Sequence, residues 1–195
     1  VVSNTLELMD EQTEQMLQAI IKVGIMGDRR WVSSLPSEPI GWRHLLLYAE
    51  HENIRNYVDY GISLLGCSVP AINTTRIAAY FPDGHTTPKP IRELIGEYQG
   101  KETDYLLRII TQIRQQPLLL HLIELTRELY RDTVDDDHLA EVLEEKKLTD
   151  YARSLMQVLS EQTGLDEGYM PLPPVDNKLT RQIRQQLSKH LDIER

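Results

Sequence analysis

Apolar residues recur at every third or fourth position along most of the chain, and strict apolar–polar alternation never extends beyond a few residues. That period is the mark of amphipathic helices and not of strands. Leu6, Met9, Met16, Leu17, Ile20 and Ile21 form one face of a first segment, from about Asn4 to Met26. Asn4 is placed to cap it, with Glu7 three residues on in capping-box position, and Gly24 and Gly27 weaken its end. A second segment follows Ser34–Pro39 and runs from about Ile40 to Leu65, stopping at Gly66, with Ile40, Leu47, Ile54, Val58, Ile62 and Leu65 in one stripe. A third starts near Thr87 and Pro88. Its stripe, Ile91, Leu94, Ile95, Tyr98, Leu106, Ile109, Ile110 and Ile113, keeps phase through Gly96 and Gly100, as one long helix to Gln115 or two pieces. Pro117 opens a fourth, very apolar segment, Leu118 to Arg131. Asp135 to Asp137 start a fifth, since acids favour a helix N-terminus. Thr149 restarts a helix through Ala152, Leu155, Met156 and Leu159 to Gly164.

Two stretches interrupt this pattern. Cys67 to Pro90 holds Pro70, Pro82, Asp83-Gly84, Pro88 and Pro90, all turn signals, with a short helix expected over Thr74–Tyr80. A loop of about 24 residues is long for a compact domain, so it either packs as its own element or is functional. Asp166 to Asp176, with Pro171, Pro173 and Pro174, reads as an extended linker. Beyond it, from Asn177 to Ile193, Leu179, Ile183, Leu187 and Leu191 recur every four residues, a narrow apolar stripe that needs a surface to dock on: its own bundle, a second copy of the chain or a partner. No internal repeat has a fixed period. The expected fold is all-α, an antiparallel bundle of four to five long helices with one or two short ones. The bundle takes residues 1–165, the linker 166–176 and a C-terminal amphipathic helix 177–195.

Composition adds limits. The chain has 195 residues, 41% hydrophobic and 26% charged, ordinary globular values that need neither disulfides nor a structural metal for folding. Its formal charge of −9 argues against a nucleic-acid partner, which a cationic surface would have to bind, and repels anionic lipid. The single cysteine, Cys67, allows no internal disulfide and points to a reducing compartment, so a cytoplasmic protein is expected. No run of 18 apolar residues exists to span a membrane, and the first 30 residues lack the basic and apolar regions of a signal peptide.

Catalytic signatures are missing. Gly-x-Gly-x-x-Gly, the phosphate-binding Gly-x-x-x-x-Gly-Lys-Ser/Thr, Gly-x-Ser-x-Gly and His-Glu-x-x-His do not occur. The acidic run Asp132–Asp137 lacks the alternating ligands and the glycine of a calcium loop and reads as a helix start. Glu124 and Glu128, like Asp137 and Glu141, are four apart, which departs from the Glu-x-x-Glu and Glu-x-x-Asp of all-α pyrophosphohydrolases. Trp31 and Trp42 flank the first loop and are expected to plug the bundle end; the tyrosines read as core or boundary residues.

One constellation carries chemistry. His44 and His51 lie seven apart, two helical turns, and so point the same way. Glu102 falls in the stripe of the third segment, His121 and Glu124 share a face of the fourth, and His138 and Glu141 share one on the next. Facing histidines and carboxylates in a helical bundle resemble the arrangement by which ferritin-like di-iron proteins hold metal. The order His-x-x-Glu reverses that pattern, and Thr13 stands where it wants a carboxylate. The metal alternative therefore rests on His44, His51, Glu102, His121 and Glu124 holding iron, manganese or zinc. With no complete family pattern, the leading expectation is a non-enzymatic regulatory, adaptor or assembly protein that binds another protein or a second copy of itself.

Overall fold

A computed structural model describes residues 9–75 and 87–191, with side chains as far as Leu187. The expected cap Asn4 with Glu7, nearly all of the expected Thr74–Tyr80 helix and the side chain of Leu191 lie outside the described residues. Among those described, the fold is all-helical, with nine α-helices and no strand. None of these helices is long and apolar enough to cross a membrane. The chain divides into two compact units, Val1–Pro88 with Ser188–Arg195, and Lys89–Leu187.

The first unit is built on α1 (Glu11–Met26), α2 (Trp42–His51) and α3 (Arg55–Leu65). Asp10 caps α1, its carboxylate accepting from the Thr13 N–H at 2.8 Å, and Gly27 closes it in the left-handed region at φ 68°. Met16, Leu17, Ile20 and Val23 are buried on α1, Leu45 and Tyr48 on α2, and Val58 on α3. Thr13, also buried, accepts the Gly41 N–H at 2.9 Å and so ties the start of α2 to α1. Trp42 is buried at the start of α2, whereas Trp31 is 44% exposed. Its ring lies 4.9 Å from the Lys22 ammonium.

The continuous helix expected from Ile40 to Leu65 is two helices. Asn53 stands at φ 56°, and the Asn53 and Ile54 N–H groups turn back to the carbonyls of Glu50 and Ala49. That is a Schellman closure with asparagine in the position glycine usually holds. The buried Ile54 keeps the stripe in phase across the break.

The second unit contains α4 (Ile91–Ile95), α5 (Glu102–Gln115), α6 (Leu119–Tyr130), α7 (Asp136–Glu145), α8 (Thr149–Thr163) and most of α9 (Lys178–Leu191). The third sequence segment is thus two pieces, separated where Gly96 and Gly100 adopt φ 84° and 78°. Helix α6 lies between α5 and α8 and buries residues all round, which is why its sequence is so apolar. Asp135 caps α7 by accepting the His138 N–H at 3.0 Å, as the acidic cluster implies.

The proline-containing stretch before α9 runs back along α8. Val175 N–H donates to the Arg153 carbonyl at 3.2 Å, and the Ser154 hydroxyl donates to the Asn177 side chain at 3.1 Å. Asn177 then caps α9 through the N–H groups of Leu179 and Thr180. Ile183 and Leu187 are fully buried, and Arg184 bonds Glu161 on α8 and Asp176. The first three turns of α9 therefore dock within the second unit.

Candidate binding groove

Of the five residues singled out for metal, His44 and His51 belong to the first unit and Glu102, His121 and Glu124 to the second. His44 is half-buried on α2. His51, at the end of the same helix, is buried with its Nδ1 2.9 Å from a carboxylate oxygen of Glu52, which is itself fully buried. Glu102 is half-exposed at the start of α5 and accepts the Thr133 hydroxyl at 2.5 Å. His121 and Glu124 do share a face of α6, and both act on one short segment. His121 Nε2 donates to the Lys89 carbonyl at 2.8 Å, and Glu124 accepts the Ile91 N–H at 2.9 Å. Helix α4 follows Pro90 and has no side-chain cap of its own, so Glu124 serves as its cap from across the interface. Burial lowers the His121 pKa and raises that of Glu124. Among the described residues, no three His, Cys, Asp or Glu side chains gather closely enough to hold a metal ion.

The second unit has a different feature that sequence periodicity missed. The buried stripe of α5 is Tyr105, Leu106, Ile109, Ile110 and Ile113. Its opposite side, with Leu107, Arg108 and Thr111, forms the floor of an open groove. Ile95 of α4 stands on one wall. Lys146 and Leu148 stand on the other, presented by the turn between α7 and α8. That turn is a second Schellman closure, with Lys147 at φ 56° and the Leu148 N–H bonded to the Leu143 carbonyl at 2.8 Å. The groove encloses about 550 Å³ beside Leu148 and a further 470 Å³ towards Lys101, the two parts sharing Leu107, Arg108 and Lys146.

Its charge sets it apart from an acidic molecule. Lys101, Arg108, Arg114 and Lys146 all line it, against one carboxylate, Asp104. Among the described residues none of these four cations forms an ion pair. The two guanidinium groups are held by aromatic rings instead: Arg108 lies 5.6 Å from the Tyr105 ring centroid and Arg114 5.9 Å from that of Tyr151. Arg108 also donates to the Ile95 carbonyl, which fixes it across the α4–α5 junction. An apolar floor with unpaired cations around it, two of them beside aromatic rings, is suited to binding an anionic partner that also carries apolar groups. The signal for it in the sequence was the set of basic positions on the exposed side of α5, invisible until Gly96, Gly100 and Lys147 had folded two neighbouring segments against that side.

Comparison of the chain with protein-family models, with characterised proteins and with solved structures gives no match.

Proposed function

We propose that the chain is a helical regulatory, adaptor or assembly protein that acts through protein–protein contacts, with the groove on its second unit as the contact surface. The observation that supports this is the row of four cations without carboxylate partners along an apolar groove, on a chain of formal charge −9. Surface cations normally cost nothing to leave solvated, but two guanidiniums near aromatic rings beside the partly exposed Leu107 and Ile95 are arranged for contact. The antiparallel packing of long helices read from the sequence belongs to the same proposal: a rigid helical frame presents one face. A photo-crosslinking residue placed at the exposed Thr111 in the native cell tests it. A discrete crosslinked protein, identified by mass spectrometry and absent when the residue is placed at Gln185 on α9, is the expected result. Lack of any crosslink at Thr111 overturns the reading.

A further inference from the structure

We infer that the occupant of this groove is an acidic amphipathic peptide segment, one that presents carboxylates along its length and leucine-like side chains between them. The inference rests on the protein-contact reading above and names the chemistry of the partner. Its first ground is length. Lys101 precedes the first turn of α5 and Arg114 lies in its last turn, thirteen residues on, so the cations are distributed over about 20 Å of helix axis. A small molecule with one anionic head meets one or two of them. A segment with several carboxylates meets all four, and a helix of about 14 residues covers that distance.

The second ground is the floor. Ile95 and Leu107, both partly exposed, offer apolar surface between the cations beside the buried Leu148, continuous from one part of the groove to the other through Leu107. A nucleic-acid strand would satisfy the charges but has no aliphatic side chains for these residues. An acidic peptide has both groups. The third ground is orientation: Arg108 is fixed by Tyr105 and the Ile95 carbonyl and Arg114 by Tyr151, so both present guanidinium forks whose ordering cost has been met on folding.

The test uses the full chain and a fluorescein-labelled repeat of Glu-Glu-Leu of about 14 residues, read by fluorescence anisotropy. Binding is expected, weakening as salt rises, and absent for the same peptide with glutamine in place of glutamate. The double substitution Lys101→Glu with Lys146→Glu changes two exposed side chains, and is expected to weaken binding by roughly tenfold or more while circular dichroism stays unchanged. Arg108→Gln, which keeps a donor, is the second variant and should weaken it less. Three results overturn the inference: no binding of the acidic peptide, binding indifferent to the double substitution, or preference for a labelled oligothymidylate of similar length. A dimer in sedimentation that the double substitution dissociates would also overturn it, assigning the groove to a second copy. A protein crosslinked at Thr111 without any peptide binding would remove the acidic occupant and leave the protein-contact reading standing; loss of both removes the two together.

Discussion

Gly24 of α1 and Gly61 of α3 lie against each other where the two helices cross, so closely that a Cβ on Gly24 would stand 3.5 Å from the Gly61 nitrogen and would overlap the Tyr57 carbonyl. A Cβ on Gly61 would in turn overlap the carbonyl of Ile20. Both obstacles are backbone, which cannot rotate away as a side chain does. Alanine ordinarily stabilises a helix by about 1 kcal/mol over glycine. Here the helices would have to separate, and overpacking of that kind costs about 3 kcal/mol. Gly61→Ala is expected to lower the urea midpoint by a corresponding amount, and Gly24→Ala likewise. Unchanged stability in either variant would show that the crossing is looser than described.

The same pair shows how much of the fold the sequence made legible. The 3.6-residue period placed α6 and α8 closely and the end of α1 at Gly27, because each has a long apolar face, but α1 starts at Glu11 behind the extended Asp10 cap and not near Asn4. It joined α2 to α3, because Asn53 is neither glycine nor proline and Ile54 fills the core in phase. Gly24 read as a weakness in a helix, whereas its lack of a side chain is what allows α3 to approach. The histidine set was legible as residues on helix faces, but period alone gives no distances. His121 and Glu124 serve the backbone of residues 89–91, a use that depends on where α4 starts. The groove was not legible, since it takes shape from three segments separated in sequence.

His51 and Glu52 make a specific prediction about the metal alternative. Both side chains are buried and bonded to one another at 2.9 Å. Removing the imidazole takes a hydrogen-bond partner from a buried carboxylate, a loss of about 3 kcal/mol. His51→Ala is therefore expected to lower unfolding free energy in denaturant by about that amount. The His44→Ala, His51→Ala double variant should retain whatever iron, manganese or zinc elemental analysis finds in the parent protein. Stoichiometric metal in the parent that disappears from the double variant would reverse this and restore the metal reading.

His121 and Glu124 predict opposite contributions to stability on the acid side. Burial lowers the His121 pKa from its ordinary 6.5, so below that value the unfolded chain takes up a proton that the folded chain refuses, and stability falls with falling pH. Burial raises the Glu124 pKa from its ordinary 4.5, so just above that value the folded chain holds a proton that the unfolded chain has released. That contribution grows as pH falls. Unfolding free energies measured between about pH 7.5 and pH 5 should therefore decline less steeply in His121→Asn and more steeply in Glu124→Gln than in the parent. Parallel declines in all three proteins would show that neither group is linked to folding.

The last prediction concerns α9. A helix of this composition is marginal alone in water, because nucleation is costly. Within the second unit it has two anchors: Ile183 and Leu187 are buried with almost no exposed surface. Each contributes roughly 1.5–3 kcal/mol by leaving water, so the two together supply about 3–6 kcal/mol. Arg184 adds a forked pair of bonds to Glu161, 2.9 Å from Nε and 2.6 Å from an Nη, and a bond to Asp176 at 3.0 Å. These partners raise the Arg184 pKa above its already high ordinary value, which keeps the guanidinium charged at any working pH. With Arg184 and Glu161 both partly exposed, salt screens the pair, and its loss costs about 1 kcal/mol. The order of effects is then fixed. Truncation after Asp176 should lower the melting temperature most, Ile183→Ala less, and Arg184→Ala least, with the Ile183→Ala effect the one that does not shrink at high salt. Truncation should leave a monomeric parent monomeric, because the helix is seated in its own unit. If truncation instead left the melting temperature unchanged and abolished a dimer, Ile183 and Leu187 would belong to an exchange between two chains.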